Sequence, residues 1–404
     1  MIVEDNDRVS GTNDSMSRTA QGMSAMLVYL AWIALARGEP PSAVAGGAAP
    51  VIPPFAAEVA VDEANVRLLP DSKSTVVGLL RAGAVVTVTG CDPNCASSDA
   101  WALLGKSGAV LLSVLRAVRP SDVVAPKVPS DQLWYGRVSR ISRRIYRKPD
   151  VRGGIVSRRR IPQEMAFLPD TALRARGWLE RVEGGYVRAR QVSMLDVAKF
   201  TGEAQPSLPL VFVLRPAGSR GAADDLARYD RLPLRGRAGA MFVTDRGTLD
   251  KSRVRVIELR KRPTDIPEGD SWVQVNVEQQ TLTAYEGDVP VFATLVSSGK
   301  SMNRTHVGLY KVEHKMMYSD MHGEPDDPYI VDRVPYVIYF DKNEALHGTY
   351  WHDHFGTPAS HGCVNLSMSD AKWIFDWSTP ALPPGWHDID PQAGSKALWV
   401  LVER

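Results

Sequence analysis

From Val273 to Glu278 the side chains alternate, with Val273, Val275 and Val277 apolar and Gln274, Asn276 and Glu278 polar. A period of two predicts a half-buried strand, one face on a core and the other toward solvent. Glu286-Gly287-Asp288 then predicts a hairpin turn, because these residue types accept the dihedrals of a tight reversal. Later the period lengthens. Ser367-Met368-Ser369-Asp370 has the form of a helix capping box, and Trp373, Ile374 and Trp377 then fall on one helical face. Ala397 to Val402 is a further apolar strand.

Upstream the pattern is of short strands broken by glycine and proline. Val66 to Pro70, Val76-Val77-Gly78, Gly83 to Val88 and Trp101-Ala102-Leu103 are followed by Ile145 to Pro149, Gly154-Ile155-Val156, Trp178-Leu179 and Gly185-Tyr186-Val187 in the same order. This reads as a module and a divergent second copy. Strand-like runs at Pro206 to Leu214, Tyr229 to Leu234 and Met241 to Val256 read as a small β subdomain with no assignable chemistry. The fold class predicted is therefore mainly β and multidomain.

Near the start, Ala25 to Ala36 is an apolar run of signal-peptide length, preceded by Arg18 and ending in the small-residue site Ala34-Leu35-Ala36. It is short against the roughly 20 apolar residues of a membrane span. The expectation is an exported, extracytoplasmic protein, in the periplasm or cell envelope, with an uncleaved anchor through 25–36 as the alternative. A linker rich in Ala, Pro and Gly follows.

Length and charge refine this picture. A chain of 404 residues exceeds one ordinary domain. The net charge of +2 implies no bulk attraction to nucleic acid. Between Arg137 and Arg160 the chain carries Arg140, Arg143, Arg144, Arg147, Lys148, Arg152, Arg158 and Arg159 with almost no acid. A solvated strand face accounts for that run, an anionic envelope polymer or lipid surface is its functional alternative, and no nucleic-acid motif accompanies it. The three cysteines divide naturally. Cys91 and Cys95 have the spacing of a small disulfide loop across a turn, which suits an oxidising compartment, the alternative being two reduced thiols; Cys363 is left over.

Cys363 lies in Ser360-His361-Gly362-Cys363-Val364-Asn365, with His347-Gly348 upstream. A nucleophilic cysteine needs a neighbour that lowers its pKa and a base that takes its proton, and two histidines can supply both. Gly362 permits a sharp turn and close approach of a substrate carbonyl to peptide N–H groups. The chemistry implied is acyl transfer. A zinc site built from His347, His352, His354 and His361, with Asp353, is a rival reading of the same histidines; a buried structural cysteine is the plainer one.

The motif resembles the active site of the L,D-transpeptidases, the YkuD-type family of cell-wall enzymes. Ser271 to Val277 with Gln280, Leu282 and Tyr285, Val296 to Lys300, and Ala345 to Trp351 extend that resemblance over about 268 to 404. It implies that Cys363 attacks the substrate carbonyl, that His347 is the base, and that the Gly348 carbonyl orients His347. His361 and Asn365 would shape the pocket, Gly362 and Cys363 would offer oxyanion-binding N–H groups, and Ser360 would brace the loop. Tyr339, Trp351 and His352 are candidates for substrate contact, with His352 and His354 as alternative bases. Further implied are peptidoglycan tetrapeptide stems as partners, an outer-envelope protein as another acyl acceptor, and no cofactor or metal. The N-terminal modules resemble bacterial SH3-like domains. The resulting organisation is 1–54 signal or anchor plus linker, 55–125 SH3-like, 126–200 a second SH3-like domain, 201–265 a small β subdomain or linker, and 266–404 catalytic. Transfer to water (a carboxypeptidase), ligation of protein to the wall, and an idle catalytic domain on a wall-binding scaffold are the alternative functions.

Overall fold

The computed structural model describes residues 52–119, 130–138, 144–157, 163–215, 225–323 and 329–404. The 25–36 apolar run and Arg140, Arg143, Arg158 and Arg159 of the basic run lie outside them. Among the described residues, no helix is long and apolar enough to cross a membrane. The protein is mainly β.

The alternating segment forms strand Ser271–Asn276, which pairs with Thr281–Glu286; that strand turns at Gly287 and Asp288 into Val289–Leu295. Gly287 has φ +60°, the left-handed conformation such a turn favours. The last strand, Trp399–Glu403, lies parallel to Ser271–Asn276 and antiparallel to Gly308–Lys311, completing a six-stranded sheet. Helix Met368–Trp377 packs Ile374 and Phe375 into the core that this sheet shares with Ile338, Leu346, Val364 and Leu366. Ser367 caps it, its hydroxyl accepting from the Asp370 N–H at 3.2 Å. The Asp370 carboxylate does not complete a capping box. It is fully buried and accepts from Thr294 Oγ1 (2.5 Å), Thr201 Oγ1 (2.9 Å) and Gly202 N–H (2.9 Å), tying the helix start to two other segments.

The N-terminal regions differ from the expected SH3-like barrels: no closed barrel forms among the described strands. Their edges are used elsewhere. Strand Val76–Arg81 pairs with Trp386–Ile389, and Glu164–Phe167 pairs in parallel with Ile330–Asp341, so both regions join one 13-stranded sheet with the strands that carry the site. Residues 55–115 keep a core of their own, which Trp386 enters. Leu133, Tyr135, Ala166 and Val182 instead share a core with Val331, Val334, Val337 and Tyr350. Strands Leu210–Val213, Arg231–Ala238, Met241–Thr244, Gly247–Asp250 and Val254–Ile257 make a separate five-stranded sheet. Cys91 and Cys95 are joined as a disulfide, S–S 2.06 Å.

Candidate active site

Strand Glu344–Gly348 lies parallel to Val364–Leu366, with Leu346 beside Val364 and His347 beside Asn365. Successive side chains on a strand point to opposite faces. Leu346, Val364 and Leu366 therefore turn into the main core, while His347, Cys363 and Asn365 share the other face and line one cavity of about 470 Å³. The hydrophobic alternation of two short strands thus aims these side chains at the cavity.

His347 is buried, and its Nδ1–H donates to the Gly348 carbonyl at 3.1 Å. That bond fixes the tautomer and leaves Nε2 as the basic nitrogen. Burial lowers the imidazole pKa to about 4, against the carbonyl's pull upward. The Cys363 thiol moves the other way: desolvation pushes it up to about 11, the Ala345 backbone N–H opposing and the Glu344 carboxylate adding to the rise. Burial thus works against the expected low-pKa thiolate and favours the neutral thiol and the neutral imidazole, and Cys363 Sγ lies 3.5 Å from the Asn343 carbonyl oxygen.

The loop before Cys363 is closely braced. The Ser360 hydroxyl donates to the Cys363 carbonyl and accepts from the Gly362 N–H at 3.2 Å. In this state the Gly362 N–H is therefore used within the loop, not presented as an oxyanion donor. Thr305 Oγ1 donates to the Gly362 carbonyl (2.6 Å) and accepts from Gly299 N–H (3.0 Å). Residues 297–300 clasp the motif from the side: Ser297 and Asn365 exchange backbone hydrogen bonds at 2.9 Å, and Lys300 N–H donates to the Ser360 carbonyl. Gly362 has φ +126°, a conformation that favours glycine, and a Cβ there would come within 3.1 Å of Glu344 Oε1.

The other histidines take separate positions. The Asn365 amide lies 2.9 Å from His352 Nε2, and His352 Nδ1 accepts from the His354 N–H at 3.1 Å. With Nδ1 accepting, Nε2 carries the proton, and the amide is assigned with Oδ1 toward it, which gives that otherwise unpartnered buried oxygen its hydrogen bond. Burial lowers the His352 pKa to about 4. His361 is exposed and packs 4.8 Å from the Tyr329 ring. Among the described residues, the grouping with metal-ligand proximity is His306 with Asp341 and Glu344, and none of the four motif histidines belongs to it.

Trp351 stacks 5.9 Å from His347 and lines the first cavity with His352 and His354. Tyr339 lies instead on a second cavity of about 690 Å³, with Met302, Asn303, His322 and Asn343. Cys363, His361, Met321 and Tyr329 border both cavities, so the thiol stands between two approaches. Sequence reasoning missed Gln163, Glu164, Met321, Tyr329 and Thr305. The first two arrive from a distant part of the chain, and none sits in a motif whose spacing would reveal it.

Residues 270–385 match the family model of the L,D-transpeptidase catalytic domain, YkuD. The chain is 26% identical over 123 residues to Bacillus subtilis YciB, named for the L,D-transpeptidases, across 28% of this chain and 63% of that protein. Similar solved structures include the catalytic domain of an Enterococcus faecium L,D-transpeptidase (25% identity, 33% of this chain and 97% of that one, TM-score 0.27). A Mycobacterium smegmatis L,D-transpeptidase (19%, 33% and 59%, TM-score 0.28) is another. L,D-transpeptidase 3 of Mycobacterium tuberculosis, solved with a faropenem-derived adduct, is a third (20%, 40% and 72%, TM-score 0.27). The chain spans less than two thirds of the length of the Bacillus subtilis and Mycobacterium smegmatis proteins.

Proposed function

We propose that this chain, whose residues 270–385 carry a YkuD-type L,D-transpeptidase catalytic domain, transfers acyl groups between peptidoglycan stem peptides through a thioester on Cys363. The observation that carries the proposal is the cavity shared by His347 and Cys363, the latter just before the strand that pairs with that of His347, with Nδ1 of His347 committed to the Gly348 carbonyl. With the thiol protonated at rest, attack and proton transfer are coupled: Nε2 of His347 takes the thiol proton as sulfur bonds to the substrate carbonyl carbon. Collapse of the tetrahedral adduct expels the terminal D-alanine amine, which takes the proton back from His347. An acceptor amine then attacks the thioester carbon and regenerates the thiol.

Two cavities meeting at Cys363 support separate approaches for acyl donor and acceptor. The acceptor is a neighbouring stem amine in this reading; water or a lysine of an envelope protein would give carboxypeptidase or ligase outcomes from the same intermediate. An extracytoplasmic location and wall contacts by the SH3-like regions belong to the same proposal. The test is intact-protein mass spectrometry of the chain and its Cys363→Ala variant after incubation with a tetrapeptide stem and, separately, a carbapenem. An adduct on the unsubstituted protein alone supports the nucleophile, and the released dimer or tripeptide distinguishes transfer from hydrolysis. No adduct with either compound leaves the idle-scaffold reading.

A further inference from the structure

The cavity beside Cys363 has a wall that the matched catalytic region does not supply. Glu164 lies in parallel register with Val331, and the Gln163 N–H donates to the Ile330 carbonyl at 2.8 Å. Gln163 and Glu164 thereby reach the cavity lined by His347 and Cys363, although both lie outside residues 270–385. The wall is firmly held. Tyr135 stacks on Tyr350 with ring centres 4.0 Å apart, and Arg181 Nη2 donates to the buried Asp332 carboxylate at 2.8 Å.

Among the described residues lining this cavity Glu164 is the only carboxylate, and it is only 7% exposed. Its Oε1 accepts from Arg137 Nε at 2.8 Å, which fixes the orientation of the group. A carboxylate offers two oxygens and about four acceptor positions, so one guanidinium contact does not exhaust it. Taking a carboxylate out of water is costly unless charge-assisted hydrogen bonds replace the lost solvent, and a cationic ligand group supplies them.

We propose that Glu164 is a specificity-determining residue that receives a primary ammonium group on the side chain of the peptide whose carbonyl is attacked by Cys363. This rests on the acyl-transfer reading above. The N-terminal strand region is then part of the substrate site, and its carboxylate distinguishes stems that carry a free amine from those whose amine is blocked.

The test uses the full chain and two tetrapeptide stems that differ only in whether the third residue's side-chain amine is free or acetylated. The readout is the ratio of kcat/KM for release of D-alanine. The unsubstituted protein is expected to prefer the free amine by about tenfold, the scale of one charge-assisted hydrogen bond. Glu164→Gln is expected to bring the ratio near one, whereas Glu164→Asp retains a preference and Arg137→Met, which keeps the carboxylate, retains it too. A ratio near one in the unsubstituted protein, an unchanged ratio in Glu164→Gln, or equal loss in Arg137→Met would overturn the proposal, the last because the ion pair would then be purely structural. Acylation of Cys363 by a carbapenem with turnover of neither stem would instead sink the stem-peptide reading, and this inference with it.

Discussion

At the residue scale, the two groups assigned to the proposed chemistry, His347 and Cys363, are both pushed toward their neutral forms by burial. Burial depresses His347 to about 4 and raises Cys363 to about 11. Alkylation of the free protein by iodoacetamide should therefore climb steadily as pH rises from 7 to 10, with no plateau near neutrality; a plateau below pH 8 would show a thiolate already formed. His347→Gln should slow acylation by a carbapenem by roughly 10²- to 10⁴-fold, the range for losing a general base. Gly362→Ala should cost about 1–3 kcal/mol through its left-handed backbone, and also lower acylation, because its Cβ presses on Glu344 beside the thiol. Urea denaturation and adduct mass read the two effects separately. That Cys363 and His347 lie on one cavity was foreshadowed by a hexapeptide and a histidine-glycine pair. Their protonation states were not, since desolvation depends on what folds over them.

At the element scale, the helix after the Cys363 motif was legible from its cap and apolar face, whereas its anchors were not. Lys315 is completely buried, and its Nζ donates to the carbonyls of Phe375, Ser378 and Pro380 at 2.8 Å each, satisfying the C-terminal end of helix Met368–Trp377. Nothing in the local sequence marks a lysine in an otherwise ordinary strand for this position. Burial lowers its pKa to about 7 from 10.5, so the ammonium, which alone can donate to all three carbonyls, is the form held below about pH 7. The folded state thus releases the proton more readily than the unfolded state, so this group's contribution to stability rises with pH between about 7 and 10.5 and falls away as pH drops through 7. The stability difference between the unsubstituted protein and Lys315→Met, measured by denaturant titration, should grow across that window. A difference independent of pH would refute the assignment. Asp370 is the matching anchor at the other end; its three donors come from Thr294, Thr201 and Gly202, far away in the chain.

At the scale of the whole molecule, the sequence divides the chain into modules and the structure joins them. Strands Trp134–Val138, Glu164–Phe167 and Val192–Met194 share a sheet with strands of the site, and Leu133, Tyr135, Ala166 and Val182 share an apolar core with them, with Arg181 paired to Asp332 and Arg333 to Glu183 across the junction. Burial raises the Asp332 pKa to about 7 even beside Arg181, so Arg181→Met leaves a protonated, poorly hydrogen-bonded acid and should cost roughly 1–3 kcal/mol. These regions should also unfold together: hydrogen exchange in Glu164–Phe167 and Ile330–Asp341 should report the same opening free energy in the unsubstituted protein. Independent exchange of the two strands would mean that the N-terminal region is a detachable lid.

The sequence alone determined what depends on near neighbours along the chain: the strand alternation at 273–278, the hairpin at Gly287, the Ser367 cap, and the motif around Cys363 whose residue types admit acyl transfer. Only the tertiary structure decided which edges pair and what each buried polar group meets. It was backbone pairing between distant segments that set Val76–Arg81 against Trp386–Ile389 and brought Glu164 to the cavity, and packing by the surrounding chain that set the environment of the thiol and imidazole. Such contacts leave no periodic trace, because hydrogen bonding between strands is made by backbone atoms common to every residue, and desolvation is a property of the surroundings.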